Sequence, residues 1–140
     1  RSILADPRNF HNRELINHVV KNREWFRPFA PVTLEECYQD WFDFPIPSPY
    51  MLYTAQVKHP EKIPAVTHID GSARFQTVNR QTNPHYYEII KAFGNLTDVP
   101  VLLNTSLNGN GQPILETEED AKEFYKNSNL DMMFINGCMV

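Results

Sequence analysis

VPVLLNTSLNGNG, Val99 to Gly111, is the stretch whose reading decides the fold. Val99 to Leu103 is a continuous apolar run, the pattern of a strand buried on both faces rather than one. It opens into a polar loop holding Gly109 and Gly111. In α/β sheets, ligands gather at the carboxyl ends of such strands. Around this run, strands and helices alternate without a repeat, so the chain is expected to be one α/β domain with a mixed sheet.

Working outward, Ile3 to Ala5 reads as a short strand. Asp6-Pro7 would start a helix, with Asp6 as N-cap. Leu15, Ile16, Val19 and Val20 recur at helical spacing and predict a helix over Asn9 to Asn22. Thr33 with Glu36 has the form of a capping box ahead of a short helix from Tyr38 to about Phe42. Asp43 to Pro49 holds three prolines and must be a loop. Tyr50 to Val57 reads as a strand. PAVTHIDGSARFQTVN, Pro64 to Asn79, reads as a hairpin around Asp70-Gly71. Asn83-Pro84 starts a helix with Tyr87, Ile90 and Phe93 inward. Thr117 and Asp120 open another, to about Asn127, and Met132 to Ile135 is a last strand.

Of the 140 residues, 41% are hydrophobic and 21% charged, which suits a packed core. The net charge of −4, with no block of like charges, argues against nucleic acid as a partner. No apolar run is long enough to cross a membrane. Cys37 and Cys138 form no CxxC pair, which fits a reducing cytoplasm. His11 and His18 would lie about 10 Å apart on a helix, too far to share a metal ion, and no HExxH is present. No metal site is therefore expected from this chain. The sequence enters at Arg1 as though a strand were already under way, so further residues are expected upstream.

Three places put polar groups where structure alone does not need them. Lys21, Arg23 and Arg27 follow a helix C-terminus, where the dipole alone would favour cations. Their neighbours Trp25, Phe26 and Phe29 are apolar, and are expected to draw Arg27 inward towards an anion. In the hairpin, a two-residue turn sets Thr67 opposite Arg74 and Ala65 opposite Gln76. A three-residue loop would instead bring His68 beside Arg74. The third place is the loop after the buried strand, with Asn104, Thr105, Ser106 and Asn108. It lacks the Lys-Ser/Thr of a Walker loop, and no nucleophile elbow surrounds Ser106 or Cys138. The inventory suits binding phosphates and working by position and charge.

RSILADPR, KNREWFRPFAPV, SPYMLYTAQV, IPAVTHIDGSARFQTVN and VPVLLNTSLNGNGQPI, in this order, resemble the C-terminal domain of the O-carbamoyltransferases, the nodulation-type and antibiotic-tailoring enzymes. The resemblance covers nearly the whole chain. It implies a YrdC-like α/β fold, a twisted mixed sheet with flanking helices, over residues 1–140. It also implies formation of carbamoyl-adenylate and pyrophosphate from carbamoyl phosphate and ATP, with Mg as the nucleotide's ion. A separate N-terminal Kae1-like domain, with iron or another metal, would pass the carbamoyl group to an acceptor hydroxyl. The fragment alone would be an incomplete enzyme.

By the same resemblance, Lys21 and Arg23 match a K-x-R element, and Lys21 and Arg27 would bind phosphate oxygens. Arg74 would clamp the donor or the adenylate. Asn104 and Ser106, the polar pair after the buried strand, would hydrogen-bond carbamoyl or phosphate oxygens, and Thr67 and His68 match the family's motif in THIDG. A GPRALGN segment would precede Arg1 and add its Arg to the site. LNGNGQP departs from the common FN-x-RGEP form, with Asn110 for Arg and Gln112 for Glu. The alternatives are a non-catalytic module for nucleotide, phosphate or RNA, and a docking domain whose Arg27 and Arg74 pair with carboxylates such as Glu24 or Asp70.

Overall fold

The computed structural model describes residues 1–140 apart from Arg23 and Trp25, and apart from the side chain of Val19. In chain order the elements are β1 (Ser2–Ala5), α1 (Phe10–Leu15) continued by a π-helical turn (Ile16–Val20), β2 (Ala30–Leu34), α2 (Tyr38–Trp41), β3 (Phe42–Asp43) and β4 (Ala55–Val57). A 3-10 turn (Pro64–Val66) follows, then β5 (Ser72–Ala73), β6 (Gln76–Val78), α3 (Pro84–Thr97), β7 (Val101–Ser106), α4 (Glu118–Lys126), β8 (Phe134–Ile135) and β9 (Cys138–Met139).

The apolar run of β7 is the hub, as its composition requires. β7 pairs antiparallel with β1 on one side and with β2 on the other. β2 pairs parallel with β6, which completes a mixed sheet in the order β1-β7-β2-β6. Val101 and Leu103 face a core that includes Ile16, Val20 and Phe75. Leu102 faces the other way, onto Val32, Tyr87 and Ile90. Burial on both faces thus holds, and each such side chain contributes about 1.5–3 kcal/mol. A smaller antiparallel sheet, β3-β4-β5, covers the first core, and β8-β9 is a separate hairpin. This is the expected α/β domain with a mixed sheet. No helix among the described residues is long and apolar enough to cross a membrane.

Asn83 caps α3 by accepting from the Tyr86 backbone N–H, and Thr117 and Asp120 form a reciprocal capping box on α4, both as the sequence indicates. α3 lies so close to the start of β7 that a Cβ on Gly94 would stand 2.8 Å from Pro100 Cβ and 3.0 Å from its Cα. Pro100 leads directly into the buried strand and cannot yield. Gly94→Ala should therefore lower stability by about 1–2 kcal/mol, overpacking outweighing the better helix propensity of alanine. A urea midpoint equal to or above that of the parent would refute this.

Several expectations need correction. α1 is capped by Asn9, which accepts from the His11 backbone N–H at 2.9 Å. Asp6 instead accepts from the Arg8 backbone N–H and pairs with its guanidinium. Thr33 is no cap: it is a fully buried strand residue whose hydroxyl donates to the Pro100 carbonyl at 2.7 Å. Of Tyr50 to Val57 only Ala55–Val57 is strand, and of Met132 to Ile135 only Phe134–Ile135.

The largest correction concerns Pro64 to Asn79, which is not a hairpin. Its first part is the 3-10 turn, its middle pairs with β4, and its end pairs with β2. The Asp70-Gly71 turn does form, with Gly71 at φ +79°. It is a three-residue loop, because the His68 N–H donates to the Ser72 carbonyl at 2.8 Å. Asp70 stabilises it by accepting from the Ser72 N–H and hydroxyl. Thr67 and Arg74 therefore do not face each other across a ladder.

Candidate functional site

The site begins with an irregularity in α1. The Lys21 N–H donates to the Ile16 carbonyl at 2.8 Å, five residues back, so the last turn is wider than an α-turn. Arg13, Asn17 and Lys21 point inward from this helix, at 4%, 0% and 4% exposure. Each donates to backbone carbonyls outside the helix, Arg13 and Asn17 to the same segment. Arg13 reaches Phe26 O (3.0 Å) and Thr67 O (3.4 Å), Asn17 reaches Arg27 O (3.0 Å), and Lys21 reaches Ser106 O (2.5 Å) and Asn108 O (2.8 Å).

Lys21 and Ser106, both expected at the site, are thus brought together at the end of β7. The Lys21 ammonium also lies 2.7 Å from Asn108 Oδ1, so acceptors meet each of its three protons. Ser106 Oγ donates to the same Asn108 Oδ1 at 2.6 Å. Asn108 Nδ2 donates to Gln112 O, Gly109 N–H to Gln112 Oε1, and Asn110 Nδ2 to Asn22 O. Asn110 and Gln112, the two departures from the family form, close the loop by neutral hydrogen bonds.

A second group forms around His68. Its ring is half-buried, and Nδ1 lies 3.3 Å from Ser72 Oγ. The Ser72 hydroxyl donates its proton to Asp70, so Nδ1–H is the donor to Ser72 and Nε2 carries the lone pair of the neutral ring. Burial pushes the His68 pKa down. The Asp70 carboxylate opposes that shift, and the charges of Arg13 and Arg74 add to it. Arg74 is exposed because its neighbours Ala73 and Phe75 are both fully buried, which turns the intervening residue outward. Neither Arg13 nor Arg74 has an ion pair among the described residues. Arg13 Nε is also buried without a partner, and burial pushes the Arg13 pKa down. The Thr67 hydroxyl turns back to Ile63 O at 2.9 Å.

Asn104 stands apart from both groups. Its Nδ2 lies 3.4 Å from Gln76 Oε1, and its Oδ1 is buried without a donor. Arg27 corrects the expectation that it is drawn inward: Phe29 is buried, but Arg27 is about half exposed and pairs with Glu24 at 2.8 Å. The docking-domain alternative foresaw that pair, but Arg74 has no such carboxylate among the described residues. Arg23, and Trp25 with its apolar pull, lie outside the described residues. Among the described residues no cluster of His, Cys, Asp or Glu is arranged to hold a metal. A groove of about 950 Å³ opens elsewhere, between β1 and α4, with Leu107, Phe124 and Met133 in its wall. It contains none of the expected site residues.

Sequence reasoning missed Arg13 and Asn17. The signal was present: Arg13, Asn17 and Lys21 recur every fourth residue beside the apolar Ile16 and Val20. A polar line along an inward helix face is costly unless each group is bonded, and that marks it as purposeful.

Comparison with known proteins adds an independent finding. The family model described as Carbamoyltransferase C-terminus matches residues 1–140. Nodulation protein NolO of Bradyrhizobium diazoefficiens is 43% identical over 145 residues, covering 100% of this chain and 26% of that protein. Nodulation protein U of Rhizobium tropici is 39% identical over 99% of this chain and 24% of its own length. A 3'-hydroxymethylcephem-O-carbamoyltransferase of Amycolatopsis lactamdurans is 38% identical over 96% of this chain and 26% of its own length. The chain spans about a quarter of the length of these relatives.

Proposed function

The chain belongs to the carbamoyltransferase family, matching its C-terminal domain, and from that premise we propose that it forms carbamoyl-adenylate from carbamoyl phosphate and ATP. The donor loses phosphate to water and leaves carbamate. A carbamate oxygen attacks the α-phosphorus of ATP, which enters with Mg, and pyrophosphate departs. A preceding Kae1-like region, with its metal, then passes the carbamoyl group to an acceptor hydroxyl. The setting is the cytoplasm.

The observation that carries this reading is a set of cations without carboxylates. Arg13 and Arg74 both act on His68, and neither has an ion pair among the described residues. Asp70, the carboxylate beside His68, is engaged by Ser72, and Arg13 by backbone carbonyls, so Arg74 is left to pair with a phosphate. In this reading Arg74 clamps the donor, Lys21 and Arg27 hold phosphate oxygens, and Arg23 joins them. Thr67 and His68 line the wall. Ser106 bonds the carbamoyl or phosphate oxygens, and Asn104 Oδ1, an acceptor without a donor, suits the carbamoyl amide. The chemistry is positioning and electrostatic stabilisation rather than covalent catalysis.

Titrating the isotope-labelled protein with carbamoyl phosphate and ATP should shift resonances of Lys21, Arg27, Arg74 and Asn104. Shifts that avoid these four residues would overturn the site. One observation favours a binding-only module instead: the Lys21 ammonium is satisfied internally and Arg27 is engaged by Glu24. Pyrophosphate release on adding both ligands separates the two readings.

A further inference from the structure

Arg13 and Asn17 are both buried, and each bonds backbone carbonyls beside residues the proposed chemistry uses. In an α-helix, residues four apart drift by about 40° around the axis, so Lys21 would sit about 80° from Arg13. The π-helical turn at Ile16–Val20 holds more residues per turn and takes back that drift. Arg13, Asn17 and Lys21 consequently share one inward line. Along it, Arg13 holds the Phe26 carbonyl, Asn17 holds the Arg27 carbonyl and Lys21 holds the Ser106–Asn108 turn. Arg13 also reaches Thr67 O, beside His68, and so ties the Phe26–Arg27 strap to the second wall of the site.

We propose that Arg13 and Asn17 are positioning residues, which hold the Phe26–Arg27 backbone so that Lys21, Arg27 and the His68–Arg74 wall meet one phosphate-bearing substrate. The inference rests on the function proposed above. The Arg27 side chain is half exposed and paired with Glu24, but its backbone is pinned by Asn17 at 3.0 Å, and that pin sets the reach of the guanidinium. Arg13 carries the same function for the other wall. Its guanidinium also lies over the Phe10 ring, 5.6 Å from the centroid, a cation–π contact that adds to its two carbonyl bonds. A lysine there would keep the charge but lose the fork.

Arg13→Lys and Asn17→Ala, made in the full-length protein, test this by pyrophosphate release against carbamoyl phosphate concentration. Each should raise KM about tenfold with kcat per folded enzyme within about twofold, since a misplaced holding group costs binding of the donor. A purely structural role would lower the yield of folded enzyme and leave KM alone. If Asn17→Ala does not fold, Arg13→Lys decides the matter. An unchanged KM in Arg13→Lys overturns the inference while the parent reading survives. If the unmodified protein releases no pyrophosphate, the parent reading fails and the inference falls with it.

Discussion

Arg74→Ala in the full-length protein should cut pyrophosphate release by about a hundredfold or more and leave the fold unchanged. On the role proposed for Arg74, the size is that of removing a cation from charge on a transferring phosphoryl group. The sparing of the fold follows from local packing. Ala73 and Phe75 carry the burial at this corner, while Arg74 is exposed and gives up no ion pair among the described residues. Stability should stay within about 0.5 kcal/mol of the parent, as for surface substitutions that break no special contact. Arg74→Lys should recover only part of the rate, because an ammonium cannot offer the paired donors of a guanidinium. His68 gives a second readout. Arg74 helps hold its pKa down, so in Arg74→Ala the imidazole should titrate at higher pH than in the parent. Unaltered pyrophosphate release in Arg74→Ala would sink the role assigned here.

What the sequence made legible was what its own neighbourhood decides. The apolar run at Val101 to Leu103 carries its double burial in its composition. The Thr117–Asp120 box and the Asn83-Pro84 start are complete within four residues, and both form as written. The Asp70-Gly71 turn is also local and forms. The hairpin failed because its first arm became the 3-10 turn Pro64–Val66 and its second arm found partners elsewhere: Ser72–Ala73 joined Ala55 and Gln56, and Gln76–Val78 joined Val32–Leu34 in parallel. Turn chemistry specifies a reversal but not the strands that will pair beyond it. Thr33 shows the same limit. Its T-x-x-E spacing matches a cap, yet the apolar Pro31–Leu34 segment pays more as a strand beside β7.

The site divides along the same line. Lys21, Ser106, His68 and Arg74 were visible as chemistry at element ends. Arg13 and Asn17 are hidden because apolar periodicity marks an inward helix face, and buried polar residues on that face carry no such mark. Arg27 went wrong for a different reason. Its apolar neighbours do not draw its side chain inward: Phe29 is buried, but Phe26 remains 54% exposed. The backbone carbonyls of Phe26 and Arg27 turn inward instead, onto Arg13 and Asn17, and the guanidinium is left outside with Glu24.

Lys21→Met should behave unlike Arg74→Ala, losing stability as well as activity. The methionine keeps most of the stem's volume but offers no donor. Ser106 O, Asn108 O and Asn108 Oδ1 would lose the proton each now receives within 2.8 Å. Bonds to a charged donor contribute about 1.5–3 kcal/mol each, and the buried acceptors left behind cost in turn. Partial rehydration of the loop offsets some of this, so a net loss of about 3 kcal/mol is expected, read as a lower urea midpoint at unchanged slope. The same geometry has a consequence for substrate. With all three ammonium protons engaged, a phosphate oxygen can reach Lys21 only by displacing an acceptor. Asn108 Oδ1 is the one carried by a side chain rather than by the backbone, and it is the one to give way. Carbamoyl phosphate should then speed amide exchange across Asn108 to Gln112 in the parent protein, as the Asn108–Gln112 bonds open. Exchange that slows there, or a Lys21→Met variant as stable as the parent, would mean that Lys21 neither holds this loop nor hands it over to the substrate.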